Sequence, residues 1–416
     1  MGLGRCQTVR EKNKIVDSGA EVRQMRSSGL NPPAILSIAF RPFFLSAALF
    51  TSVSLLLWVA WLLGWASPNP ALPMPLWHGH EMLFGFTMAV VIGFVLTAAQ
   101  NWTGRTTTTP GLLALLVSLW WAARAGFLFP AVVPLWLTTT LDLILLPIVA
   151  ILLARVLIVT RNRRNYALLL ILCAFAVLNG LTHLAFHGLI PIHLMHRAMD
   201  TTLLLIAVLL VFMGGRVIPF FAARRLPTVD PRRWPALDST ATILAALCCV
   251  AVLVAGRHPD LALLFFLAAT VNLARLLAWR PWRVLQEPML WVLHLGYAWI
   301  PVGFLLLGLH LVGAPLGWSA GAHVIAAGAL GTLAIGMMSR VALGHTGRPL
   351  QAPPLMHAGF VVLSIAVILR LVAALAPNLP LVLALSGLLW AGAFLLYALV
   401  FTPIFLRPAV DSGAVK

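Results

Sequence analysis

Twelve apolar runs, each about as long as a helix that crosses a bilayer, decide what this chain can fold into. A helix needs about 20 residues, mostly apolar, to span the hydrocarbon core. Runs of that kind fall at 43–65, 77–100, 112–129, 132–158, 166–189, 196–221, 238–256, 259–279, 289–312, 318–343, 354–376 and 380–406. The turn near Pro130 and Pro134 is the weakest of the separations. Only 9% of the residues are charged and 61% are hydrophobic, whereas soluble domains carry about 25% charged residues. The expected fold is therefore all-α, a polytopic membrane helix bundle of about twelve transmembrane helices. The domain division that follows is a basic cytoplasmic tail over 1–38, one membrane domain over 39–408, and a short cytoplasmic tail over 409–416.

An even number of spans puts both ends on one side, and basic residues choose the side. With the N-terminus inside, the inner segments hold Arg10, Lys12, Lys14, Arg105, Arg161, Arg163, Arg164, Arg224, Arg225, Arg232, Arg233, Arg280, Arg283, Arg348 and Arg407. The outer loops then hold little beyond Arg257. The expectation is N-in and C-in. The net charge of +17 is accounted for by these short loops, so no nucleic-acid partner is expected and the partner is membrane lipid. Residues 1–32 are polar and do not read as a cleavable signal; Met25 offers an alternative start. The four cysteines form neither CxxC nor CxxCH, which disfavours thiolate metal sites, dithiol redox centres and covalently attached haem.

Histidine is the informative residue. Twelve are present, and an ionisable group at membrane depth marks a functional site by default. The orientation puts eight in one outer layer: His78, His80, His183, His187, His193, His196, His310 and His323. Neutral imidazole suits iron, copper and zinc. The candidate metal residues are His78, His80, His183, His187, His196 and His323. His183 and His187 are four apart and share a helical face. His78 and His80 are two apart and point to nearly opposite sides, so they serve two sites unless the helix begins between them. Glu81 follows at once, suited to orienting an imidazole or carrying protons. Arg124, Asp142, Arg197 and Asp200 fall in the same outer half, and the spacing of Arg197 and Asp200 predicts an ion pair.

Several long motifs, in a fixed order, carry a family resemblance. AFRPFFL (39–45), WHGHEMLFGF (77–86), GFVLTAAQNWTGR (93–105), GGRVIPFF (214–221), LWVLHLGYAW (290–299) and SRVALGHTGRP (339–349) resemble NnrS-family proteins. The resemblance implies a bacterial inner-membrane protein of the nitric oxide response, linked with denitrification, that binds haem b and copper. It carries over to His78, His80, Glu81, Asn101, Trp102, Arg216, Pro219, His294, His323, Arg340, His345 and Arg348. At the inner face, the Asn101–Arg105, Gly214–Phe221 and Gly344–Arg348 motifs are expected to pack as a cap, with His345 and Arg340 lining a polar pocket. Helix capping and positive-inside anchoring is the plainer account of the same residues.

Three functions remain open at this stage. The first is a haem–copper protein handling nitric oxide. The second is a haem or metal sensor without turnover. The third is a multi-span transporter or proton- or ion-coupled permease without haem, which twelve helices and intramembrane charges also fit.

Overall fold

The computed structural model describes residues 33–410 apart from residue 377. Most of the expected N-terminal tail and the last six residues lie outside that range. Within it, residues 34–36 form a single 3₁₀ turn that leads into the first long helix.

Among the described residues, twelve helices are long and apolar enough to cross a membrane. They are α1 (Phe40–Leu62), α2 (Met74–Thr103), α3 (Pro110–Leu128), α4 (Leu135–Val159), α5 (Tyr166–Phe186) and α6 (Ile192–Arg225). Then come α7 (Pro235–Ala255), α8 (Ala262–Ala278), α9 (Pro288–Leu311), α10 (Trp318–Gly344), α11 (Pro354–Leu375) and α12 (Pro380–Phe405). No β-strand occurs among the described residues. The chain is a polytopic membrane protein, and the weakest separation is real, since α3 and α4 are distinct helices.

Local sequence explains the punctuation. Eight of the twelve helices start on a proline at the cap or in the first turn, where the missing N–H costs nothing and φ is already helical. Thr109 also caps α3 through its side chain, accepting from the Leu112 amide. Gly104 closes α2 in the left-handed conformation, φ 65°, which glycine adopts without strain.

Burial then sorts the helices. In their most apolar segments α2 is 83% buried, α10 78% and α6 67%, whereas α7 and α11 are only 28% buried. So α2, α6 and α10 are central, with α1 and α9, each 61% buried, beside them, and the others form an outer ring. The ring turns large aliphatic side chains such as Ile151, Leu170, Val254 and Leu381 outward, as lipid contact requires. The centre instead buries polar groups, among them His80, Glu81, Arg124, Asp142 and Asn179.

Two of the central helices depart from α geometry at matching places. α2 widens to a π-helix over Glu81–Phe86, immediately after His80. α10 does the same over Val324–Leu330, immediately after His323. A π turn leaves carbonyls poorly paired, and in α2 the Thr87 hydroxyl donates to the Met82 carbonyl at 2.6 Å. Such turns are rare and occur often at functional sites.

Candidate functional site

The two histidines of α2 lie on opposite sides of their helix and enter different environments, as their two-residue spacing predicts. His80 faces α4 and α5. There His80, Asp142 and His183 each offer one ligand atom within 4.8 Å of the others, and all three are buried. Asp142 Oδ2 lies 3.0 Å from His183 Nε2 and 3.5 Å from His80 Nε2. Asn179, one turn before His183 on α5, donates to the same Asp142 oxygen at 2.7 Å. Glu81 accepts from His80 Nδ1 at 3.0 Å.

The arginine of this cluster comes from α3. Arg124 pairs with Asp142, and its Nε lies 3.4 Å from Glu81 Oε2. Gly85 makes room for it: a Cβ there would sit 2.9 Å from an Arg124 guanidinium nitrogen. The rings of Trp120 and Phe127 flank the guanidinium, at 5.8 and 5.5 Å.

Charge decides what this cluster can hold. Glu81, Asp142, Arg124, His80 and His183 are all at least 95% buried. Two carboxylates face one guanidinium, so neutral imidazoles leave one net negative charge, and an unbalanced buried charge is costly. Both nitrogens of His80 face oxygens: Glu81 Oε1 on one side, Asn179 Oδ1 and Asp142 Oδ2 on the other. That setting suits a metal ion at Nε2. The Glu81 bond at Nδ1 is the usual device that aims the other nitrogen of a metal-ligating histidine. The donor set of two imidazoles and a carboxylate fits a first-row transition metal.

His78 faces the other way, into a cavity shared with α6, α10, α11 and α12. Its ring and that of His323 are 6.4 Å apart between centroids, with planes only 9° from parallel. Trp58 stacks on His78 at 4.6 Å. His323 is held at Nδ1, which donates to the Ser319 carbonyl at 2.8 Å. Arg370 places a guanidinium nitrogen 3.0 Å from the Ser319 hydroxyl and 3.1 Å from the same His323 nitrogen. With Nδ1 carrying the proton for the carbonyl bond, the Arg370 donor goes to the hydroxyl. His78 Nδ1 is buried without a hydrogen-bond partner. The cavity has a volume of about 270 Å³.

The remaining expected residues fall elsewhere. His187 is exposed at the end of α5 and bonds Thr139 at 2.8 Å. It does not join His183 on one ion, because the helix stops at Phe186 and the ring turns toward α4. His196 is exposed on the first turns of α6. The expected Arg197–Asp200 pair does not form. Asp200 instead makes a two-pronged pair with Arg257, at 2.7 and 3.0 Å, and accepts from the Trp318 indole. Arg197 reaches the Val254 carbonyl at 3.1 Å. The α7–α8 connection brings Arg257 close enough to compete, which spacing along α6 alone does not reveal.

At the opposite end of the bundle the three motif segments do meet. Asn101, Trp102, Arg216 and His345 line one pocket with Asn162, Arg164 and Asn165. Asn101 and His345 approach to 3.3 Å, and burial holds the His345 imidazole below its usual pKa. Arg340 is not in the pocket wall. It lies over the Phe221 ring at 3.7 Å. Arg348 turns back to the Thr346 carbonyl. His294 is buried within α9, bonded to the Leu290 carbonyl one turn earlier.

Sequence reasoning missed Asn179, Arg370 and Trp58. Asn179 had a readable signal, a polar residue four before His183 on an apolar helix. Arg370 had another, a lone charge within a membrane span.

The family model described as NnrS protein matches residues 34–409 of the chain. No curated protein matches it.

Proposed function

The chain belongs to the NnrS family, and from that premise we propose that it is a bacterial inner-membrane haem b and copper protein acting in the response to nitric oxide. Its orientation is N-in and C-in by the placement of basic residues, so the histidine end faces outward. One observation carries the reading: opposite faces of one turn of α2 feed two adjacent histidine sites of different character. One is roomy and largely apolar, with parallel imidazoles. The other is tight and buried, with a net negative charge.

The roomy site suits haem. The near-parallel imidazoles of His78 and His323, 6.4 Å apart between centroids, both line the cavity. His78 and His323 would hold the haem iron, for which histidine is a usual ligand. Arg370, in the cavity wall, suits a propionate, because a guanidinium matches a carboxylate. The tight site suits copper, held by His80 and His183 with Asp142. When bound, the two groups supply redox-active metal next to a cavity that admits a small molecule.

The protein's own residues supply the rest. Ser319 fixes the His323 ring through Nδ1, while Trp58 fixes the plane of His78 by stacking. His78 is the less restrained of the two rings, because its Nδ1 has no partner. Glu81 sits between His80 and Arg124, where it fixes the His80 ring through Nδ1 and leaves Nε2 free to ligate. A permease without haem is the weaker reading, since the cavity midway along the bundle is lined by apolar side chains and offers ions no contact.

The test is an absorption spectrum with metal analysis of the purified protein, followed by addition of nitric oxide. The proposal expects a Soret band, copper, and a spectral change on adding the gas. Absence of both haem and copper removes it.

A further inference from the structure

Three cavities stand in line along the same helices. The histidine cavity and the polar pocket at the far end have a third between them, bounded by α1, α2, α6, α9 and α10. One face of α2 serves all three. Thr87 lines both the histidine cavity and the middle one, and Phe94 lines both the middle one and the polar pocket. On α10, Leu330 and Met337 are shared in the same way. A few shared side chains therefore form each partition, and Met337 together with Met213 of α6 makes the inner one flexible, because methionine is unbranched and has three rotatable bonds.

The middle cavity differs from its neighbours in chemistry. Its volume is about 100 Å³, and its lining presents no polar surface. Thr87, the one hydroxyl in its wall, is turned to the Met82 carbonyl. One water needs only ~10–15 Å³ by the same measure, together with two to four polar partners, and apolar cavities of this kind stay dry and take up xenon or small hydrocarbons. This cavity has the room for water and lacks the partners. An ion would lose its hydration with nothing in exchange.

We propose that this cavity is a binding site for small uncharged apolar molecules, diatomic gas by size, placed between the polar pocket and the histidine cavity. The site rests on shape and lining alone. It stands whether or not the histidine sites hold metal.

Xenon is the probe. Purified full-length protein in detergent is titrated with xenon and followed by ¹²⁹Xe NMR, both as purified and after metal removal. Saturable uptake is expected in both preparations. Ala334→Phe puts a ring into the cavity and abolishes that uptake. Leu209→Ala enlarges the cavity, keeps the fold, and raises occupancy at a given pressure at least twofold, so the proposal remains decidable if Ala334→Phe fails to fold. No saturable uptake by the unaltered protein overturns the proposal, as does uptake left unchanged by Leu209→Ala. Saturable xenon uptake in a protein that never carries haem or copper sinks the metal reading and leaves this one standing.

Discussion

Replacing Asp142 with asparagine keeps the shape of the buried cluster and removes the charge on which its cation affinity depends. Asp142 contacts Arg124, Asn179 and His183 and lies 3.5 Å from His80. Opposite unit charges ~4 Å apart at an effective dielectric of ~20 attract by ~4 kcal/mol. That figure corresponds to ~10³-fold in affinity at ~1.4 kcal/mol per tenfold. Losing only the orienting role of such a group weakens metal binding ~10–100-fold. The expected loss of copper affinity is therefore ~10²–10³-fold. The metal-free protein should suffer less. Glu81 still faces Arg124 at 3.4 Å, and the substitution removes the uncompensated negative charge, so a drop of ~1–3 kcal/mol from lost hydrogen bonds is the upper range. Chelator competition on purified protein measures the first quantity, and thermal unfolding with and without copper measures the second. Copper affinity within threefold of the unaltered protein would refute the charge argument.

Other expectations follow from single contacts. Gly85→Ala pushes a methyl against Arg124 and Phe50; overpacking of this kind costs ~1–3 kcal/mol, read as a lower unfolding temperature together with lower copper content. Arg370→Gln removes the cation beside His323; haem retention in a transfer assay to apomyoglobin should fall at least tenfold, with copper unchanged. His345 is held below its usual pKa by burial, so the folded state resists its protonation. The stability it contributes is complete well above the unfolded value of ~6.5 and is lost as pH falls through ~6.5 toward the folded value. Thermal unfolding of His345→Gln should accordingly vary less between pH 7 and pH 5 than that of the unaltered protein.

The helices were largely legible because bilayer thickness imposes one length on every span, and proline punctuates their starts. The boundaries of α9, read as 289–312, differ by one residue at each end from Pro288–Leu311. The site was legible in part. The two-residue spacing of His78 and His80 already demanded two directions, and helix geometry provides them. Which partner each ring meets depends on packing between helices. His183 and His187 looked equivalent by spacing, but the helix ends between them. Asp200 looked paired with Arg197 until the α7–α8 connection brought Arg257 beside it. The π turns after His80 and His323 left no readable trace, since nothing in EMLFGF or VIAAGAL distinguishes a π turn from an α turn. Arg370 lies where the family motifs fall silent, and only its charge within an apolar span marked it.

The central claim is that neighbouring histidines of one helix serve separate metal sites. Haem and copper quantified side by side in purified His78→Ala and His80→Ala test it most directly. The account predicts that His78→Ala loses haem and keeps copper, whereas His80→Ala loses copper and keeps haem. Loss of the same group from both variants, or of neither from either, would contradict it.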